Sequence, residues 1–336
     1  MANWQRNRSP MSVAAPSSTL DPDAAPLFAP ADFAMPPGAR SVWVSTPDGM
    51  RLRVVRWNPA VAPCLGTVML LQGRNEMVEK YAEVVTDLLA RGFGVVTFDW
   101  RGQGLSSRTL RDPLKGHVEH FDQYLTDLDT VLTDVMLPDC RPPYHVLAHS
   151  MGGLIALRAA PALGNRIERM VLAAPMLALA DLPVSQPLLQ RVFGLLSFSG
   201  LGQSMVGRPR LRTASDFPGN KLTHDRTRFE RAIALGEAHP ELRLGPPTVA
   251  WVFASCRAMQ NVRRTGYSSA VTVPTLMIAA GGDKVVETGV IESYAQRMRA
   301  GGSVTIDGSA HEMMMERDLY RNQFWAAFDA FVPGGD

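Results

Sequence analysis

Ala148-His149-Ser150-Met151-Gly152-Gly153 stands between a short apolar run, Tyr144–Ala148, and a segment with helical spacing, Met151–Ala160. A serine at such a junction, flanked by small residues, has the pattern of a nucleophile elbow. Strand and helix approach closely there, a sharp turn exposes the hydroxyl, and the N–H of the next residue points to the same place. An ordinary strand–helix turn needs only a capping serine. Here strand, serine, small residues and helix coincide.

A serine hydroxyl is a weak nucleophile near neutral pH, so it needs a base to take its proton and an acid to hold that base. On this kind of scaffold the three follow in the order Ser, Asp, His. Asp283 comes directly after the apolar run Thr275–Ala280, and His311 lies in the loop GSAHE before the last helical segment. These are the expected acid and base, with Asp307 the runner-up acid. His117, His120, His145, His149, His224 and His239 are read as structural, His149 with its ring pointing away from the elbow. The oxyanion formed on attack needs two fixed donors. The Met151 N–H is one. The Arg74 N–H is the other, in Gln72-Gly73-Arg74-Asn75-Glu76, where Gly73 lets the backbone come close.

Outward from the elbow, strands and helices alternate. Ser41–Trp57 reads as a hairpin turned at Pro47-Asp48-Gly49. Gly66–Gly73, Gly94–Trp100 and Arg169–Pro175 are continuous apolar runs, as expected of strands buried on both faces. Helical spacing recurs at Met77–Ala90 and Asp122–Met136. The alternation stops after residue 175, passes through helical pieces broken by Pro and Gly, and resumes at Pro274–Asp283. The expected architecture is an α/β fold, a mostly parallel central sheet flanked by helices, with an inserted helical cap. Residues 38–175 and 267–336 form its core, 176–266 the cap, and the Pro-, Ala- and Ser-rich residues 1–37 a loose arm.

Composition excludes several other classes. With 34 Lys and Arg against 32 Asp and Glu, the net charge is +2. That balance makes no electrostatic case for nucleic acid. The three cysteines, Cys64, Cys140 and Cys256, form no CxxC pair and read as free thiols in a reducing compartment. Residues 171–180 are apolar but fall short of the ~18 needed to cross a bilayer. No secretory h-region follows Arg6 and Arg8. A cytoplasmic protein is expected, with peripheral contact at the inner membrane face left open. RGQGLSS (101–107) lacks phosphate-binding spacing and reads as a tight turn, and no metal-ligand spacing occurs.

The runs QGRNEMVEKY, FDWRGQGLSSR, GHVEHFDQYLTDL, LAHSMGG, LTHDRTRFE, HPELRLGPPTVAWV and GSAHEMMMERD resemble those of bacterial lysophospholipases and monoacylglycerol lipases, within the α/β-hydrolases. The resemblance runs from about residue 40 to the C-terminus. It implies an ester hydrolase acting on single-chain lipids through an acyl-enzyme, without a cofactor. Gln72 stands where many monoacylglycerol lipases carry His. The run Gln186–Gly200 is apolar, with Arg191 its only charge, and suggests either packing or an acyl path touched by Phe193 and Leu196. A short-chain esterase, thioesterase or aminopeptidase-like hydrolase remains the alternative, and a non-enzymatic binder a third.

Overall fold

The hairpin, the apolar runs and the helical spacings all become the elements they predict. The computed structural model describes residues 23–59, 61–207 and 210–332. Eight strands, β1 (Arg40–Ser45), β2 (Arg51–Trp57), β3 (Thr67–Leu71), β4 (Gly94–Phe98), β5 (Tyr144–His149), β6 (Arg169–Ala173), β7 (Thr275–Ala280) and β8 (Gly301–Ile306), form one sheet in the order β1-β2-β4-β3-β5-β6-β7-β8. β2 is antiparallel to β1 and to β4, and all other pairs are parallel. Every residue of β3, β4 and β7 is buried, which is why these strands show no apolar–polar alternation in the sequence. The edge strands β1 and β8 are largely accessible.

Among the flanking helices are Ala82–Ala90, Asp122–Val131, Met151–Leu163, Thr288–Ala295 and Asp318–Phe331. Because β5, β6 and β7 run side by side in the same direction, the loops at their C-terminal ends share one edge of the sheet. Ligands of open α/β sheets bind outside that edge.

Between β6 and β7 lie the helices Gln186–Leu196, Arg226–Ala238 and Val249–Val262. In the last of these, Trp251, Cys256, Met259 and Val262 join the main hydrophobic core, and the helix packs on both Gln186–Leu196 and Met151–Leu163. Met77, Leu235 and Leu242 make a small separate cluster.

Residues 1–22 of the expected loose arm lie outside the described residues, but 23–37 do not behave as one. Trp43 N–H donates to the Asp23 carbonyl (2.9 Å) and Ala25 N–H to the Ser41 carbonyl (3.0 Å), so the segment follows the edge of β1. Proline lacks an N–H yet keeps its carbonyl. Pro26 and Pro36 accept from Arg53 Nη1 (3.1 Å) and Trp57 Nε1 (3.0 Å), both buried in the core. Phe28 stacks on His239 at 3.7 Å.

Candidate active site

Ser150 joins β5 to the helix Met151–Leu163 with φ 49° and ψ −111°, a strained conformation for a residue with a Cβ. Glycine makes the turn possible. A Cβ on Gly152 would stand 2.6 Å from the Leu71 carbonyl oxygen, and one on Gly153 would stand 2.9 Å from Pro175. Ser150 is held by its N–H to the Ala173 carbonyl (3.0 Å), while its own carbonyl accepts from Leu154 and Met176.

His311 Nε2 lies 3.0 Å from Ser150 Oγ, and His311 Nδ1 lies 2.7 Å from Asp283 Oδ2. A carboxylate on Nδ1 fixes the tautomer in which Nδ1 carries the proton and Nε2 is free to accept one from the serine. Asp283 Oδ1 accepts from Val285 N–H (2.7 Å) and Val286 N–H (3.0 Å). Burial alone would make it a weaker acid, but the His311 contact and these two donors prevail and hold the carboxyl below the ordinary range. Asp307, the runner-up, is exposed. The structure therefore brings Ser150, His311 and Asp283 into one hydrogen-bonded line.

Met151 is the first residue of its helix, so its N–H has no intrahelical acceptor. Gly73 follows β3 so closely to His149 that a Cβ would lie 2.9 Å from Nδ1 of that ring. Arg74 continues this loop, and its side chain reaches away to the Gly245 carbonyl (2.7 Å) and over the Trp251 ring (5.2 Å).

His149 does not point away from the site. Its Nδ1 lies 3.3 Å from Glu76 Oε2 and its Nε2 lies 3.3 Å from the His311 carbonyl, with the two imidazoles 4.9 Å apart. Acceptors on both ring nitrogens suit the doubly protonated ring. Burial opposes that charge, but Glu76 outweighs it and His149 sits above the usual histidine range. Glu76 also accepts from Tyr81 Oη (2.7 Å), Lys80 Nζ (2.7 Å) and Gly73 N–H, and Lys80 reaches Glu312 Oε1 (2.7 Å). Two cations and two carboxylates thus form a buried cluster behind His311. Sequence reasoning missed it, although Glu76 and Lys80, four residues apart after β3, and Glu312, next to His311, are three of its four charged members.

Phe193 packs toward the sheet's core and Leu196 is half-buried. Neither reaches the cleft beside Asn75 and Glu312, whose apolar wall is Met77, Leu211, Leu222, Phe229, Ile233 and Leu244. Phe229 and Ile233 of the helix Arg226–Ala238 belong to this wall, and no residue of the run Gln186–Gly200 lines it. The latter turns Leu188, Val192, Leu195, Phe198 and Leu201 outward. Among the described residues no group of three or more His, Cys, Asp or Glu could hold a metal ion.

Residues 62–318 match the family described as serine aminopeptidase, S33. The chain belongs to this family. Within the S33 family and its α/β-hydrolase neighbours, lysophospholipase L2 of Escherichia coli K12 is 32% identical over 265 residues, which is 76% of each protein. A probable lysophospholipase L2 of Haemophilus influenzae is 27% identical over 79% of this chain and 83% of that protein. In structure, a soluble variant of the monoglyceride lipase of Saccharomyces cerevisiae superposes with a TM-score of 0.70 at 17% identity, covering 89% of this chain and 97% of that one. A thermostable carboxyl esterase of Bacillus coagulans gives 0.68 at 18%, covering 88% and 99%. These likenesses establish an α/β-hydrolase fold for this S33 member.

Proposed function

We propose that the protein is a serine carboxylic ester hydrolase acting on single-chain lipids through an acyl-enzyme. The observation that carries the proposal is the line Asp283–His311–Ser150 at hydrogen-bond distances in a buried turn. Ser150 attacks the ester carbonyl while His311 takes its proton and later returns it to the leaving alcohol. Asp283 holds the ring and stabilises the imidazolium. The N–H groups of Met151 and Arg74 receive the oxyanion, and Gly73 gives the carbonyl room. No cofactor is needed for these steps.

The lipid substrate is supported by the lysophospholipase L2 relatives. Each buried methylene contributes about 0.8 kcal/mol, so an enzyme that buries the chain favours a long acyl ester over acetate. The accessible apolar residues between Leu188 and Leu201 offer contact with a lipid surface, and residues 182–207 contain no acid to oppose it. A panel of lysophospholipids, monoacylglycerols and short-chain esters, with Ser150→Ala as the blank, tests the reading. Long-chain lipids should be preferred. Equal kcat/KM for acetate and palmitate esters would favour a general esterase instead.

A further inference from the structure

The cleft that passes Asn75 and Glu312 is not merely apolar. It is lined by Lys80, Arg212, Arg228 and Arg243 against a single acid, Glu312. Two of these cations are already satisfied. Lys80 bridges Glu76 and Glu312, and Arg228 contacts Glu83, Asp225 and Asp318. Arg212 and Arg243 have no carboxylate within ion-pair distance among the described residues. The two are tied together, since Arg243 Nη2 donates to the Arg212 carbonyl at 3.2 Å. The nearest acid in sequence, Asp216, is taken by Arg210 and by Thr213.

Arg74 adds a third positive charge from the loop before Asn75, also without a carboxylate. Its Nε is buried and has no hydrogen-bond partner among the described residues. Burial, with the like charge of Arg212 adding to it, lowers the Arg74 guanidinium to about 10. Arg212 acts on Asp216 only through space, and neither it nor Arg243 has a carboxylate at ion-pair distance among the described residues, so both can receive an anion from outside.

The position says which anion. Asn75 and Glu312 line the cleft, and each follows directly on a residue assigned to the chemistry, Arg74 and His311. An ester held at Ser150 would thus have one end of its substrate at the mouth of this cleft. A monoacylglycerol has no charge to offer there, whereas a lysophospholipid carries a phosphate a few bonds from its ester.

We infer that Arg212 and Arg243 receive the phosphate of a lysophospholipid head group and so select lysophospholipid over monoacylglycerol. This rests on the reading of Ser150 as the nucleophile of a lipid ester hydrolase. Guanidinium groups suit the task because they pair with phosphate oxygens bidentately and stay charged over the whole working range.

The test compares kcat/KM for a lysophospholipid and a monoacylglycerol with the same acyl chain, in the wild type and in Arg212→Gln, Arg243→Gln and the double variant. Each substitution should lower the ratio of the two values by about tenfold, the usual scale for a charge-assisted hydrogen bond. Arg212→Lys should recover part of it. Glycerophosphate should inhibit lysophospholipid hydrolysis by the wild type competitively, at concentrations where glycerol does not. An unchanged ratio, with no inhibition by glycerophosphate, overturns the inference. A wild-type enzyme that cleaves monoacylglycerol but not lysophospholipid overturns it too, while leaving the ester-hydrolase reading intact. One that cleaves neither lipid overturns both.

Discussion

At the scale of single residues, the site depends on charges that are largely buried. Glu76, Lys80, His149 and Glu312 balance one another behind His311, and His149 touches the His311 backbone itself. Glu76→Gln leaves a buried cation without its partner, a change that costs about 3–5 kcal/mol when the pair is truly enclosed. It should lower the melting temperature by several degrees and reduce kcat for a short ester, because the loop bearing His311 loses its support. An unchanged melting temperature would show that the cluster is incidental. His145 makes a second case. It is buried in β5 with neither ring nitrogen partnered among the described residues. Burial, with Arg169 adding to it against Glu168, pushes it down to about 4. The unfolded ring takes its proton near 6.5, so stability should fall as pH drops from about 6.5 toward 4 and level off below. Denaturant titrations across that range should show a shallower slope for His145→Leu, and an identical slope would contradict the assignment. Ser150, Asp283 and His311 were legible because chain order and element ends specify them. The His149 contacts were not, because Glu76 lies 73 residues away and no periodicity reports which ring nitrogen meets which carboxylate.

At the scale of elements, the elbow is the element that everything else must fit. A Cβ at Gly152 would press on the carbonyl oxygens of Leu71 (2.6 Å) and Gln72 (2.7 Å), which are backbone and cannot swing aside. Gly152→Ala should therefore destabilise by about 1–3 kcal/mol, as overpacked cores do. It should lower kcat/KM as well, since the displaced strand end leads into Gly73 and Arg74. Calorimetry beside short-ester kinetics checks both, and wild-type values would mean that the approach is looser than described. The strands themselves were readable, since β3, β4 and β7 are buried throughout and their sequences are continuous apolar runs. The sheet order was not, because pairing β4 between β2 and β3 is a long-range choice. Residues 23–37 misled for a local reason. Prolines erase helix and strand signals, yet their carbonyls still accept from Arg53 and Trp57. The helix Gln186–Leu196 joins both readings in one apolar run. Leu189 and Phe193 pack inward while Leu188, Val192 and Leu195 face out.

At the scale of the whole molecule, one stretch of surface stands apart. Leu195 is 73% accessible and Phe198 84%, next to Leu188, Val192 and Leu201. No described helix is long and apolar enough to cross a membrane. Leu195→Asp with Phe198→Asp should weaken co-sedimentation with anionic vesicles about tenfold or more, given about 1.5–3 kcal/mol for fully burying each side chain. Undiminished co-sedimentation would assign this face to another purpose. Every larger inference still depends on Ser150 being the nucleophile. The most direct measurement is labelling of the folded protein with a fluorophosphonate, followed by peptide mass analysis. One adduct on Ser150 is expected, blocked by prior incubation with a lipid ester, absent in Ser150→Ala and strongly slowed in His311→Ala. A wild-type protein that stays unlabelled, or an adduct on another serine with ester turnover retained in Ser150→Ala, would contradict it.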